Sequence, residues 1–173
     1  MRKVKLRRVE AKRLYIGIDN GVTGGITALD QHGKVIPHKA MPVKNCLSYT
    51  KKKQWVNRVD VPELTLLLSG FALDYDETFC FVERPMINPG RFKATISAVR
   101  CLEATEIVLQ LTEIPYQFID SKEWQSKTLP KGIKKEEELK KAAIHVCGRL
   151  FPKVKVVNAD CLLIAESCRT SRR

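Results

Sequence analysis

The sequence lacks any apolar run long enough to cross a lipid bilayer, and its start lacks the charged, apolar and small-residue order of a signal peptide. Internal repeats and low-complexity segments are also missing. A chain of 173 residues can bury one sizeable core but is too short for two ordinary domains. These absences predict one soluble, cytoplasmic globular unit with no membrane partner.

Paired cysteines are missing as well, since none of the six cysteines belongs to a CxxC motif and most lie inside apolar segments. Cysteines in such positions are more often small buried hydrophobic side chains than zinc ligands or disulfide partners. A reducing compartment fits this usage. The six are Cys46, Cys80, Cys101, Cys147, Cys161 and Cys168.

Acidic residues are scarce, because 19 Asp and Glu stand against 31 Lys and Arg and leave a formal net charge of +12. A compact domain with this excess attracts polyanions, so nucleic acid is the leading partner. Basic residues are densest in residues 2–13, 51–53 and 169–173. We interpret residues 1–13 as a basic arm and residues 14–173 as a single domain, although such an arm can equally be a solvated extension.

The chain is organised around residues 14–30, an apolar run that ends in Asp19, followed by a glycine-rich turn and a second apolar run. Short apolar runs bounded by glycine are typical of buried strands. Asp19 would therefore lie at the carboxyl end of a central strand, where open α/β sheets place their ligands. The turn glycines would leave room for a phosphate or a metal, although turns of this kind are often only turns.

Residues 78–83 repeat this design, since an apolar run ends in Glu83 and Pro85 predicts that the strand stops there. The order along the chain predicts a three-stranded meander, a helix, a strand, a long amphipathic helix, a strand and terminal helices. Strands are predicted at 14–19, 25–29, 34–41, 78–83 and 116–119, helices at 60–70, 94–111, 134–149 and 161–168, and loops at 42–57 and after Asp120.

Three acids are predicted to meet at one edge of the sheet. Right-handed strand-helix-strand crossovers would place the Glu83 strand beside the Asp19 strand and parallel to it, and Asp160 would begin a helix docked over the same edge. Carboxylates this close repel one another unless a cation lies between them, and hard oxygen ligands suit Mg²⁺ or Mn²⁺. An acidic pocket in a strongly basic protein is what a metal-dependent nuclease needs.

The motifs are residues 16–21 (IGIDNG) with Gly24 and Gly25, residues 81–85 (FVERP) and residues 160–166 (DCLLIAE). In this order they resemble the RuvC family of Holliday junction resolvases, in the ribonuclease H-like superfamily, and most of all its phage-type members. The resemblance extends over residues 14–169 and includes residues 119–125 and 149–152. Each motif alone is weak, whereas the ordered set is fairly specific.

The resemblance implies an α/β ribonuclease H-like fold, with a five-stranded mixed sheet of a three-strand antiparallel meander plus two parallel strands, flanked by helices. It implies a homodimer, with residues 94–111 as candidate dimer surface, that nicks a four-way DNA junction in a bacterial or phage-infected cell. Two Mg²⁺ ions, replaceable by Mn²⁺, would be bridged by Asp19, with Glu83 on one and Asp160 on the other. Hydrolysis would leave a 5′-phosphate and a 3′-hydroxyl, with no nucleotide cofactor.

One position departs from the family pattern. Relatives of this type tend to have Asp-Ala-Asp where this chain has Asn158, Ala159 and Asp160, so an amide that keeps one oxygen and loses the charge replaces a fourth carboxylate. We treat Asn158 as a catalytic and metal-binding candidate whose change, natural or engineered, weakens metal binding and keeps DNA binding. Alternatively, Asn158 is an ordinary helix N-cap and the fourth ligand lies elsewhere.

Candidate DNA contacts are basic residues around the predicted site and in residues 51–53, together with one aromatic residue. Cations mixed with an aromatic suit a nucleic-acid backbone and an exposed base, which is the prediction for the segment after Asp120. Trp124 could instead anchor that segment in the core. The candidates are Lys51, Lys52, Lys53, Arg84, Arg91, Lys93, Lys122, Trp124 and Lys127.

Three other functions stay open. A kinase or ATPase of the sugar-kinase and actin type has a similar first strand and turn, but it needs two such domains and the chain is too short for them. A protein of the same fold could bind branched DNA without cutting it, and an RNA-directed ribonuclease is a third alternative. We expect other acids and histidines to be solvated, paired or capping: Glu103, Glu106, Asp120, Glu166, His32, His38 and His145.

Overall fold

The computed structural model describes residues 11–48, 53–133 and 135–172. Residues 1–10 of the predicted basic arm, and the candidate DNA contacts Lys51 and Lys52, lie outside these ranges. Within them, no helix is long and apolar enough to span a membrane. The division of the chain at residue 13 stays a prediction.

A five-stranded mixed sheet lies at the centre of the protein. The strands of the protein are β1 (Arg13–Asp19), β2 (Gly25–Asp30), β3 (Val35–Ala40), β4 (Val43–Leu47), β5 (Trp55–Val59), β6 (Glu77–Glu83) and β7 (Tyr116–Ile119). The order of strands in the five-stranded sheet is β3-β2-β1-β6-β7. Its first three strands are antiparallel neighbours, whereas β6 runs parallel to β1 and β7 runs parallel to β6. The predicted meander plus two parallel strands is therefore confirmed.

Helices cover both faces of the sheet, so the central strands are apolar on both sides. Leu14, Ile16 and Ile18 of β1 belong to a core cluster shared with the first two helices. Tyr15, which points to the opposite face, belongs to the cluster shared with the last three. The helices are α1 (Val61–Ala72), α2 (Phe92–Leu111), α3 (Ser121–Thr128), α4 (Glu136–Leu150) and α5 (Ala159–Ser171). All six cysteines are free and five of them are buried, as expected.

The interpretation of residues 42–57 as a loop is wrong, because β4 and β5 pair there as an antiparallel hairpin. Most side chains of the hairpin are exposed or only half-buried. The alternation of apolar and polar residues that reveals a half-buried strand is therefore absent from its sequence.

Two other predictions also need correction, a loop that is in fact a helix and the end of the first helix. The segment after Asp120 is not a loop but α3, a helix with Trp124 as its buried residue, so its sequence carries no apolar stripe of helical period. The first helix does not stop at Gly70 but continues to Ala72. Gly70 lacks the positive φ that a helix-ending glycine adopts.

Candidate active site

Asp19 and Glu83 end two neighbouring parallel strands. In the register of β1 and β6, Ile18 lies opposite Val82, so the next residues of the two strands lie side by side at the carboxyl edge of the sheet. The residues directly before each acid are buried, and both acids are half-buried. The structure thus brings the first two predicted site residues together.

Glu83 is held by donors from α3. Trp124 Nε1 donates a hydrogen bond to Glu83 Oε1 at 3.0 Å, and Ser121 provides a second side-chain hydrogen bond. Burial raises the pKa of Glu83 to about 7, the hydrogen bonds of Ser121 and Trp124 oppose this, and the neighbouring Asp19 adds to it. Near neutral pH Glu83 is therefore partly protonated when no cation is bound.

Trp124 positions Glu83 and cannot stack on DNA. Its side chain is only 1% exposed and belongs to the core cluster under α5. The prediction that Trp124 contacts an exposed base is therefore wrong, because a base cannot reach a buried indole ring. The alternative, that this tryptophan anchors its segment in the core, is what the structure shows.

Close approach of α5 to the sheet brings Asn158 and Asp160 to the same edge. A Cβ atom at Gly17 would overlap the backbone of Cys161 and Ala165, and one at Gly25 would lie 2.9 Å from Asn158 Cβ. Only glycine permits this packing. The room that was predicted for a phosphate or a metal is, at Gly25, filled by the protein's own Asn158.

Asn158 makes two hydrogen bonds that fix the orientation of its amide. Its Nδ2 donates to Asp19 Oδ2 at 2.6 Å, and its Oδ1 accepts from the Cys161 backbone N–H at 3.0 Å, which makes Asn158 the N-cap of α5. A 180° rotation of the amide would place Oδ1 against Asp19 Oδ2 and the amide N–H group against the Cys161 N–H, so neither hydrogen bond could form. Asn158 is therefore both the helix cap and the direct neighbour of Asp19.

Asp160 lies in the first turn of α5, where the helix dipole favours a carboxylate. Burial, and after it the charge of Asp19, raise the pKa of Asp160 to about 6, while Lys140 on α4 opposes the shift. Sequence reasoning missed Lys140 because it resembles any surface lysine that pairs with a glutamate four residues earlier, here Glu136 at 2.8 Å. The third acid thus interacts with Asp19 and with a nearby cation.

His38 holds the segment that leads into α5, a role that its sequence context did not indicate. Its Nε2 accepts from the backbone N–H groups of Val157 and Asn158 at 2.8 and 3.2 Å, and its Nδ1 lies 2.7 Å from Thr27 Oγ1. Since Nε2 accepts, the neutral ring carries its proton on Nδ1. Burial lowers the pKa of His38, which favours this neutral form.

The other candidate DNA contacts that the structure describes are exposed. Arg84 directly follows Glu83 and pairs with Asp120 at 3.1 Å, and Lys127 pairs with Glu123 at 3.1 Å. Exposed ion pairs are weak, so a phosphate can replace either acid. Contact of these residues with DNA stays a prediction; the exposed set is Lys53, Arg84, Arg91, Lys93, Lys122 and Lys127.

The donor atoms at the site fit one metal ion better than two. Over residues 11–48, 53–133 and 135–172, no three His, Cys, Asp or Glu side chains lie close enough together to hold a metal. Asp19 and Glu83 are adjacent, however, and one or two carboxylates completed by water and phosphate are a common magnesium site. Asn20, the residue directly after Asp19, also has a buried side-chain oxygen, Oδ1, with no hydrogen-bond partner in the described part of the chain. The chemistry fits a hard divalent cation at Asp19 and Glu83; the predicted second ion stays a prediction.

Comparison with known proteins places the fold. No protein-family model and no curated protein sequence matches the chain. A structure of T. thermophilus RuvC in complex with Holliday junction substrate is similar, with a TM-score of 0.57 and 12% identity over 94% of this chain and 96% of that chain. A second Thermus thermophilus RuvC structure gives a TM-score of 0.56 and 13% identity over 92% and 95%. The chain thus has a RuvC-like α/β fold of the ribonuclease H type.

Proposed function

We propose that the chain is a structure-selective endonuclease that cuts four-way junctions or other branched DNA by divalent-metal-dependent phosphodiester hydrolysis. The observation that carries the proposal is the side-by-side position of Asp19 and Glu83 at the carboxyl edge of β1 and β6, with Asp160 of α5 near enough for the charge of Asp19 to raise its pKa. The likeness of the fold to a RuvC structure that contains a Holliday junction substrate supports branched DNA as the substrate.

The acids and their neighbours have distinct roles in this proposal. Asp19 and Glu83 would hold Mg²⁺ or Mn²⁺, and Asp160 would contribute to a second ion. A bound ion would polarise the scissile phosphate and lower the pKa of an attacking water. Trp124 orients Glu83 through its indole N–H, and His38 holds the start of α5. The carboxylates are therefore in place before substrate binds.

The charge distribution favours the approach of DNA to these acids. The protein carries a net charge of +12, and the exposed Arg84, Lys122 and Lys127 follow the carboxyl ends of β6 and β7. A phosphate backbone at this edge meets positive side chains around the acidic pocket. The cations thus offset the repulsion between phosphate and carboxylate.

The proposal includes a homodimer formed through α2. Phe92, Val99, Ile107 and Leu111 are exposed and fall within an arc of roughly 120° around the helix. Exposed apolar side chains gathered on one helix face favour a protein interface, even though Arg100, Glu103 and Gln110 lie among them. Sedimentation equilibrium should give a dimer that Val99→Glu converts to a monomer; a wild-type monomer at micromolar concentration would contradict this part of the proposal.

The contact of Asn158 with Asp19 favours a second candidate, a protein that binds branched DNA without cutting it. The amide N–H engages one of the two Asp19 carboxylate oxygens. An amide in place of a carboxylate also lowers the negative charge available to a cation. Both effects weaken metal binding and leave the basic surface unchanged.

A binding and cleavage assay separates these candidates. A labelled four-way junction, a linear duplex and an RNA duplex are compared in Mg²⁺, in Mn²⁺ and in chelator. An endonuclease prefers the junction and nicks it only with metal, and Asp19→Asn abolishes nicking while binding persists. Junction binding without nicking in either metal supports the second candidate. Equal affinity for junction and linear duplex refutes both, and preference for the RNA duplex indicates a ribonuclease.

A further inference from the structure

The hairpin of β4 and β5 leaves the sheet at the same edge as the acids. Ala40, at the end of β3, pairs with Gly25, and Gly25 pairs with Asp19. Directly after β3, the Met41 N–H donates to the carbonyl of Gly24 at 3.0 Å. The hairpin therefore starts beside the turn that follows Asp19.

An exposed aromatic side chain lies at the far end of this hairpin. Trp55 is 60% exposed and lies opposite Leu47, which is 57% exposed. Because the Ser48 N–H donates to the Gln54 carbonyl at 2.7 Å, the adjacent pair of Leu47 and Trp55 is of the non-hydrogen-bonded kind, in which facing side chains lie closest. Together they form a flat apolar surface, the Trp55–Leu47 platform.

The charge of the hairpin indicates which partner this platform fits. Residues 43–59 contain five Lys or Arg and no Asp or Glu. Lys53 is exposed two residues before Trp55, and Lys44 pairs with Arg58 across the strands, on the face opposite the platform. An aromatic surface on a hairpin that carries cations and no acid is complementary to a nucleic-acid strand, whose bases stack and whose phosphates are negative.

We propose that the Trp55–Leu47 platform stacks on an exposed base of the DNA whose phosphate lies at the acids. This inference rests on the proposed function, which supplies the DNA. Trp55 is four residue steps along the strand from Val59 at the base of the hairpin, a distance of about 14 Å. That span corresponds to about four nucleotides of one strand. The platform is therefore a second DNA contact, one that tolerates any base because every base has a π face.

Tryptophan fluorescence tests the stacking directly, because the chain contains two tryptophans and the other, Trp124, is buried. The emission of Trp55 is the difference between the wild type and Trp55→Phe. A saturating four-way junction should quench about half or more of it, as stacking on a base requires. Unchanged Trp55 emission on a junction that is bound would overturn the inference.

Binding affinity provides the second measurement. Trp55→Ala should weaken junction binding about 5- to 100-fold, and Trp55→Phe, which keeps an aromatic ring, much less. The matched control is Leu73→Ala, because Leu73 is 83% exposed and lies at the other end of α1, away from the site edge. Equal affinities for Trp55→Ala and Leu73→Ala would overturn the inference.

The remaining outcomes are also decisive. If the platform instead docks a second copy, Trp55→Ala lowers the sedimentation mass of the free protein and leaves junction affinity intact. If it docks another protein, Trp55→Ala leaves both the mass and the junction affinity intact. Either result refutes the base contact. If the wild type binds no junction, the proposed function fails and the platform inference fails with it. If the wild type binds the junction but Trp55 takes no part in binding, the platform inference alone fails and the proposed function is unaffected.

Discussion

The side-chain amide of Asn158 donates a hydrogen bond to Asp19 Oδ2 at 2.6 Å, joining two residues that are 139 positions apart in the sequence. In a cluster of carboxylates a cation satisfies such an oxygen, whereas here an N–H group of the protein does so. The same amide caps α5. The metal-free site is therefore more stable than four carboxylates would be, and its affinity for a cation is lower.

Changing Asn158→Asp tests this relationship. The variant loses the amide donor and gains a charge next to Asp19, so in chelator we expect the free energy of unfolding to fall by about 1–3 kcal/mol. With Mg²⁺ we expect tighter metal binding, measured by calorimetry, and faster junction nicking. Gln117→Glu, the same charge change at an exposed position of β7, is the control. Unchanged metal affinity and nicking would mean that Asn158 is only a cap.

The stability of the metal-free protein should fall as the pH rises. The pKa values of Glu83 and Asp160 are raised to about 7 and about 6, so the folded state binds protons more tightly than the unfolded state. Their contribution to stability is complete below about pH 4 and is lost as the pH rises through 6 and 7. In chelator, the Tm should drop by about 5 °C between pH 5 and pH 8.

Two further measurements test whether Glu83 and Asp160 cause this fall in stability with rising pH. Mg²⁺ should raise the Tm at pH 8 and have little effect at pH 5, because at pH 5 protons on Glu83 and Asp160 compete with the cation. Glu83→Gln should flatten the pH profile, whereas Glu113→Gln, at an exposed position beyond the end of α2, should leave it as in the wild type. A Tm that rises from pH 5 to pH 8 in chelator would count against this account.

His38→Ala should loosen the entry to α5. The ring nitrogen accepts from two backbone N–H groups, at Val157 and Asn158, and leaving both without a partner should cost about 1–3 kcal/mol in the free energy of unfolding. Hydrogen exchange at these two amides should become faster. His145→Ala, on the exposed face of α4, should change neither quantity. Unaltered exchange in His38→Ala would show that the loop does not depend on the ring.

Two glycine substitutions should have opposite effects. Gly17→Ala introduces a Cβ into the backbone of α5 and should lower the free energy of unfolding by at least about 2 kcal/mol. Gly148→Ala meets open space within α4 and should raise it by about 0.5–1 kcal/mol, since alanine favours helix. Urea denaturation of both variants measures these values. Equal stability of the two would contradict the close contact of β1 with α5.

The hydrophobic pattern of the sequence was enough to predict the site residues that end a strand or begin a helix. Asp19 and Glu83 each follow an apolar run that only a buried strand explains, so their juxtaposition could be predicted. Trp124, by contrast, is the buried residue of a short polar helix, and its contact with Glu83 depends on how that helix packs. The bonds of His38 to the start of α5 depend on tertiary structure in the same way. Such contacts leave no periodic signal in the sequence.

The dependence of the site on α5 has a consequence for synthesis of the protein. A ribosome makes Asp19 and Glu83 long before it makes Asp160, and α5 packs against β1 and β2 through contacts that span more than 130 residues. Closing a loop of this length is a late and slow step in folding. A nascent chain therefore carries Asp19 and Glu83 without Asp160, and the three acids come to the same edge of the sheet only after α5 has been synthesised and docked.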